Sequence, residues 1–567
     1  MYLSLFHIKN FRCIKDITLE FNQGLNVLIG ENNSGKTSVI DAIRLSLSIG
    51  MPRKDIFMSV DDFFIDINGT RTNTIEFDLT FSNPTLEEQG IFVELLTVKE
   101  NSPELQLHAR YTLETRNGIE RFRFNHWGGE KEGQSVPPEV MELLYYVYLG
   151  ALRDAERDLS PGKGNRLSQL FLKLLNRPKD QKKYAETLQK KLSEDEEWNK
   201  LKQKAKTKVN EHLEKITIED ANQEVEINFV PLEFKKIAEN LKMQLLYSTP
   251  TNNHILRYEI DQNGLGYNNL IYIATVLGDL LERKVAEKNT FIALLIEEPE
   301  AHLHPQLQNI LFNFLNTISK DIQIFITSHS PTVTAKANIK SLGVLQIREK
   351  KISSVALKNF NLSNDEKKYL GRFLDVTKSQ LFFAKAVILV EGISEALLLP
   401  IFAKIVRLKV LDLDKSAVEI INVGGTAFEP FARLFNSSDK GKRLDMRCSI
   451  ITDDDCNADG EITPRAKKAK NLEGEQLKVF LGKKTFEYEL FVNGNDEVLK
   501  NIYLIMHPNT EIDSADTFID KLKQNKDKAE FAQLLCLKLQ EDDNLKNIFK
   551  VPEYIQKAIK WAVNMNE

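Results

Sequence analysis

The stretch Gly30-Glu31-Asn32-Asn33-Ser34-Gly35-Lys36-Thr37 constrains this chain more than any other. It follows a short apolar run at 24–29 (GLNVLI) and precedes Val39, Ile40, Ile43 and Leu47, which recur at helical spacing. GxxxxGKT between a strand and a helix is a phosphate cradle, because successive backbone N–H groups and the helix N-terminus converge on one anion. The cofactor contacts are therefore expected at Gly30, Asn33, Ser34, Gly35, Lys36 and Thr37. Lys36 would neutralise the β and γ charges of ATP, and the Thr37 hydroxyl would face Mg²⁺.

The partner strands of such a loop lie far downstream. Residues 291–296 (FIALLI) form an uninterrupted apolar run, the mark of a strand buried on both faces, and end in Glu297-Glu298-Pro299-Glu300. Acids at a strand end can hold a metal-bound water and polarise an attacking one, which places Glu297 on the metal side and Glu298 as general base. A further apolar strand at 322–326 ends in Thr327-Ser328-His329-Ser330-Pro331, where His329 can sense a γ-phosphate.

A second acidic constellation is independent of the first. The run 384–390 (AKAVILV) reads as a buried strand leading to Glu391 and Glu395, the latter in the first turn of a following helix, where its charge suits the helix dipole. Another strand, 447–452, ends in Asp453-Asp454-Asp455. In extended backbone Asp453 and Asp455 share a side and Asp454 points away. Hard oxygen donors without histidine or thiolate favour Mg²⁺ or Mn²⁺ over zinc, and such a cluster suits in-line attack of water on a phosphodiester.

At 567 residues and 42% hydrophobic, the chain is long enough for several packed cores. No apolar run approaches the ~20 residues of a membrane span, and the opening MYLSLFHIKNFRC lacks the pattern of a signal peptide, so a soluble, cytoplasmic protein with no membrane partner is expected. Cys13, Cys448, Cys456 and Cys536 show no CxxC spacing, which argues against a zinc site or a disulfide framework. The net charge of −5 excludes nucleic-acid binding by bulk attraction. Local patches must supply it, and Lys182, Lys183, Lys190 and Lys191, then Arg465, Lys467, Lys468 and Lys470, then residues 521–528 are the candidates.

GENNSGKT, LLIEEPEAHLHP and ITSHSP resemble the ABC-type ATPase heads of the RecF and SMC group, as does the opening Ile8-Lys9-Asn10-Phe11-Arg12. Those heads sandwich ATP against a signature motif of a partner head. The usual LSGGQ is absent here, and Gln262 to Asn269 (QNGLGYNN) is its nearest counterpart. No Q-loop glutamine stands out, and Asp61 and Asp62 occupy the corresponding region. EGxSE at 391–395, the Gly424-Gly425 turn and TDxD at 452–455 resemble the Toprim fold. The fusion of both is similar to the OLD (overcoming lysogenization defect) family of ATPase-nucleases, which includes the nuclease subunit of the Gabija defence system. That resemblance makes Glu391, Glu395, Asp453 and Asp455 metal ligands, adds Glu487 as a further one, and points to Lys528, with Lys526 as the alternative, as the lysine stabilising charge on the reacting phosphate.

The expectation is thus an α/β protein: an ABC-type P-loop ATPase domain with a helical insertion, followed by a Toprim α/β domain with a helical C-terminal extension. The boundaries expected are 1–160 and 246–380 for the ATPase, 161–245 for a Lys-, Glu- and Gln-rich helical insertion serving dimerisation, and 381–567 for the Toprim part. The function expected is ATP-regulated, metal-dependent cleavage of DNA in antiviral defence, by a homodimer or tetramer, with room for a co-encoded helicase or retron-type partner. A non-cleaving DNA clamp and a topoisomerase-like transesterase are the alternatives, the latter requiring a tyrosine nucleophile.

Overall fold

The computed structural model describes residues 1–51, 54–99, 102–116, 119–151, 158–175, 177–217, 223–248, 255–301, 303–348, 351–406, 412–454 and 462–564. Two compact units divide the chain. One comprises Met1–Tyr148, Ala293–Glu300 and Pro305–Glu567, the other Leu149–Ile292 with Ala301–His304.

In chain order the strands are β1 (Tyr2–Phe11), β2 (Ile14–Glu20), β3 (Leu25–Gly30), β4 (Thr74–Ser82), β5 (Leu96–Lys99), β6 (Ser102–Arg116), β7 (Ile119–Gly128) and β8 (Leu144–Leu149). Then come β9 (Leu245–Ser248), β10 (Ile255–Tyr258), β11 (Phe291–Glu297), β12 (Gln323–Ser328), β13 (Leu342–Arg348) and β14 (Lys351–Ala356). The last four are β15 (Ala386–Val390), β16 (Val418–Asn422), β17 (Arg447–Asp453) and β18 (Leu477–Gly482).

In the first unit, an antiparallel sheet runs β2-β1-β4-β6-β5, with β7 added to β6. The alternation of β4 (TIEFDLTFS) sends Ile75, Phe77, Leu79 and Phe81 to the core and the intervening polar residues outward. Each such burial contributes about 1.5–3 kcal/mol. A second sheet, β14-β13-β3-β12-β11-β8, places β13, β3, β12 and β11 parallel. Its inner strands β3, β12 and β11 are buried along their whole length, which explains the uninterrupted apolar run of β11 up to Glu297 and the apolar stretches of β3 and β12. Register pairs Ile29 with Ser328 and Glu297 with Thr327, so the phosphate loop and both downstream motifs leave the same carboxyl edge.

The four-stranded sheet β16-β15-β17-β18 is parallel throughout. Helix Ile393–Ile405 follows β15, and helices Asp496–Met506, Ala515–Asn525, Lys528–Glu541 and Glu553–Ala562 complete the C-terminal part. One core joins sheet and helices through Ile388, Val390, Phe402, Tyr503, Phe518, Phe531 and Ile559.

The second unit is mainly helical. The Lys-, Glu- and Gln-rich stretch forms helices Arg166–Leu174, Pro178–Ser193 and Glu196–Leu213. Asn165 and Asp195 cap two of them by accepting from Ser168 N at 2.7 Å and Trp198 N at 2.8 Å. A β9–β10 hairpin and helix Leu265–Ala286, entered through Gly264, follow. Among the described residues, no helix is long and apolar enough to cross a membrane.

Candidate active sites

The phosphate loop is shaped by close approach of its backbone to β13. A side-chain Cβ at Gly30 would lie 2.2 Å from the Leu345 carbonyl oxygen, so only glycine fits. Asn33 and Gly35 take positive φ (65° and 89°), and Gly35 caps helix Lys36–Leu47. Lys36 is buried, and its ammonium donates to the carbonyls of Gly30 at 2.8 Å and Glu31 at 2.7 Å and to Ser34 Oγ at 3.2 Å. Burial pulls it down to about 8, against the opposing field of Glu298, Glu31 and Glu300. Three neutral oxygens hold a desolvated cation, so an anionic phosphate fits this loop. Thr37 is exposed at the start of the helix.

The downstream motifs meet this loop. Tyr148 donates to Glu297 Oε2 at 2.7 Å. Glu298 adopts φ 43°, a strained conformation for a side chain with a Cβ, held by its N–H donating to the Thr327 carbonyl at 2.9 Å. His329 Nε2 lies 3.4 Å from Glu298 Oε1. Burial first, and the Lys36 charge second, lower its pKa. Glu300, unassigned by the sequence reading, accepts from Ser328 Oγ at 2.6 Å and His329 N at 3.2 Å and thereby fixes the histidine loop. Asp62 instead takes Arg12 Nε at 2.8 Å and caps Ser59, while Asp61 is exposed.

The second site lies at the carboxyl ends of β15 and β17. Glu391, the first residue beyond β15, accepts from Thr452 Oγ1, from Asp453 N at 3.2 Å and from Arg465. Glu395 is buried in the first turn of helix Ile393–Ile405. Asp453 is the last residue of β17, one position later than the apolar run suggests, because it still pairs with Gly482. Its Oδ2 accepts from Phe486 N at 3.2 Å. Asp454 turns to a different partner and accepts from Thr463 N at 3.0 Å. Asp455 lies outside the described residues. Glu487, buried in helix Phe486–Leu490, binds Lys528 Nζ at 2.8 Å. Lys528 opens helix Lys528–Glu541, whereas Lys526 ends the preceding helix at φ 60°.

Electrostatics tie these groups together. Burial, followed by the charges of Glu391, Glu395 and Glu487, raises Asp453 to about 8. Burial also raises Glu395 to about 7, reinforced by Glu487 and Glu391 and opposed by Lys528. Carboxylates that mutually resist ionisation at neutral pH mark a pocket that calls for a countercation. Among the described residues, no three His, Cys, Asp or Glu side chains are already gathered closely enough to hold an ion. Arg465 and Lys528 bind two of the acids instead. The donor set fits a hard divalent cation, and Glu391, Glu395, Asp453 and Glu487 would hold it.

Beyond Glu300, the sequence reading assigns no role to Tyr148, Thr452 or Tyr554. Thr452 was legible as the strand residue beside the acidic run. Tyr148 reaches Glu297, and Tyr554 comes to lie beside Gly482, only through tertiary packing.

Arg348 connects the two sites. It contacts Glu31 Oε1 of the phosphate loop at 3.3 Å and donates through Nε to the Asp445 carbonyl at 2.6 Å, two residues before β17. Asp445 N in turn donates to Gln346 Oε1 on β13 at 2.9 Å.

Two family models and several known proteins match the chain. The AAA ATPase domain family matches residues 1–243 and 172–334, together more than half of the chain. The overcoming lysogenization defect protein-like TOPRIM domain matches residues 382–455. Endonuclease GajA of Bacillus cereus (strain HuB5-5) is 25% identical over 64% of this chain and 62% of its own length. OLD nuclease of Thermus scotoductus is 24% identical over 75% of this chain and 78% of its own. The solved C-terminal region of the Xanthomonas campestris pv. campestris OLD protein is 22% identical, with 33% of this chain and 95% of that one covered at a TM-score of 0.25. The chain belongs to the AAA ATPase domain family and matches an OLD-like TOPRIM domain at residues 382–455.

Proposed function

We propose that this chain is a DNA endonuclease that hydrolyses phosphodiesters at the TOPRIM acids with Mg²⁺ or Mn²⁺ and regulates that reaction through ATP bound at its head. The observation that carries this reading is the placement of Glu391 and Asp453 at the carboxyl ends of the adjacent strands β15 and β17, where Asp453 N donates to Glu391 at 3.2 Å, with Lys528 on Glu487 at 2.8 Å. The names of the two nuclease relatives support it.

Glu391, Glu395, Asp453, Asp455 and Glu487 hold the divalent ion in this reading. When bound, the metal polarises the phosphate and activates water. Lys528, paired with Glu487 at 2.8 Å, offsets the negative charge that develops on the phosphate oxygens. Arg465, 38% exposed in its side chain, leaves Glu391 for the DNA backbone. At the head, Gly30, Asn33, Ser34, Gly35, Lys36 and Thr37 hold the nucleotide, Glu297 lies on its metal side, Glu298 takes the proton of the attacking water and His329 positions that acid. Phosphodiester hydrolysis needs no ATP energy, so nucleotide acts as a gate. Residues 161–245 serve as the dimerisation element of a homodimer or tetramer, and antiviral defence is the setting that family resemblance implies.

The test is cleavage of supercoiled plasmid by the full chain in Mn²⁺, with nucleotide binding measured alongside. Asp453→Ala should abolish cleavage and leave ATP binding intact. Unchanged cleavage in that variant would reject the site.

A further inference from the structure

Helix Glu553–Ala562 carries a residue that no part of the mechanism above employs. Ile555, Ala558, Ile559 and Ala562 form its buried stripe, and the helix packs on β17 and β18. Its far end is fixed to the start of β17. Arg447 Nη1 donates to the Trp561 carbonyl at 3.2 Å and its guanidinium lies 4.4 Å from the Trp561 ring, while Trp561 Nε1 donates to the Cys448 carbonyl at 3.3 Å. A helix anchored at that end runs back along the strand, so its first turn lies where β17 delivers Asp453. Tyr554 is in that turn.

The Tyr554 ring is partly exposed, but its hydroxyl oxygen is closed off from solvent and has no hydrogen-bond partner among the described residues. The same hydroxyl lies in the field of Asp453, Glu489, Glu395 and Glu487. Gly482, paired with Asp453 across the strands, locates the approach: a methyl group there would stand 3.1 Å from the phenol oxygen and 3.4 Å from Asp453 Oδ1. An enclosed hydroxyl without a partner costs stability that phenylalanine would not. A donor facing carboxylates is therefore a group whose partner arrives in another state of the site.

We infer that Tyr554 is a positioning residue of the acidic site, donating a hydrogen bond to the Asp453 carboxylate when that carboxylate holds a divalent ion. The inference rests on the metal reading of the TOPRIM acids. With one oxygen of Asp453 engaged by Phe486 N and the other by the phenol, the carboxylate has a fixed orientation towards the ion. Tyr554 is no nucleophile in this role, since its enclosed hydroxyl does not meet a phosphate.

The experiment is Mn²⁺ titration of the full-length, nucleotide-free chain followed by thermal unfolding, comparing wild type with Tyr554→Phe, Gly482→Ala and Asp453→Asn. Tyr554→Phe should unfold without metal at the wild-type temperature or slightly above it, and should need about tenfold more Mn²⁺ for half of the stabilisation. Gly482→Ala, which wedges a methyl between phenol and carboxylate, should show the same weakening. A Tyr554→Phe midpoint equal to wild type overturns the role of the phenol. A wild-type Mn²⁺ response that survives Asp453→Asn overturns the metal reading itself, so the two failures are distinguishable.

Discussion

Lys36 is held without a counter-anion: its ammonium is buried, lowered to about 8, and bonded to two carbonyls and a hydroxyl of its own loop. Exchanging those neutral acceptors for phosphate oxygens gains charge-assisted bonds of about 1.5–3 kcal/mol, so Lys36→Ala should weaken ATP binding roughly 10- to 100-fold by calorimetry. His7 makes a different residue-scale prediction. It bonds Asp78 at 3.0 Å and Asp16 at 2.9 Å, and chiefly the Asp78 bond raises it from 6.5 to about 9, while Asp78 is held well below the usual carboxylate range. A histidine raised on folding stabilises fully below pH 6.5 and loses that contribution as pH climbs through 9. The pair is partly exposed, so solvent screening limits it to about 1 kcal/mol or less. Urea unfolding at pH 6.5 and pH 9.5 should show the stability gap between wild type and His7→Ala closing at the higher pH.

Helix Lys36–Leu47 depends on more than its apolar face. Asp41 receives Arg12 Nη1 at 2.6 Å and Arg44 Nη1 at 2.6 Å, Arg12 continues to Asp62, and Arg44 lies 3.6 Å from the Tyr148 ring. Asp41→Ala would take one of two carboxylates from each guanidinium, Arg12 keeping Asp62 and Arg44 keeping Asp55, at a cost of about 1–3 kcal/mol in chemical denaturation. Such networks set the limit of what was legible. Strands β3, β11, β12, β15 and β17 could be read from sequence because burial on both faces makes them mostly apolar, and the acids at the ends of β11, β15 and β17 stand out. The antiparallel sheet before the insertion was less visible, since its half-exposed strands alternate and, beyond the opening Ile8 to Arg12, no motif marks them. Arg12, in the opening segment, could be matched to a family pattern, yet its link to Asp41 and Asp62 exists only once β1 and the helix are packed. Glu300 stands within a recognisable run, yet only the approach of Ser328 and His329 distinguishes it from its neighbours. Tyr148 and Tyr554 carried no local signal, because the acids they face are remote in sequence.

Across the first unit, Arg348 spans from the phosphate loop at Glu31 to the backbone entering β17, whose far end is Asp453. A nucleotide that shifts Glu31 can therefore pull on the strand that carries a TOPRIM acid. Arg348→Ala should retain ATP binding within about threefold and lose most of the difference in plasmid cleavage rate between ATP-bound and ATP-free enzyme, as read by gel densitometry. Coupling of this kind presupposes two separate centres, one for nucleotide and one for divalent ions at the acids. Anomalous diffraction from Mn²⁺ soaked into crystals of the full chain locates those ions outright. Peaks bounded by Glu391, Glu395, Asp453 and Glu487, well apart from Lys36, are the expected result; Mn²⁺ bound elsewhere, with Glu391 still on Arg465 and Glu487 still on Lys528, would contradict it.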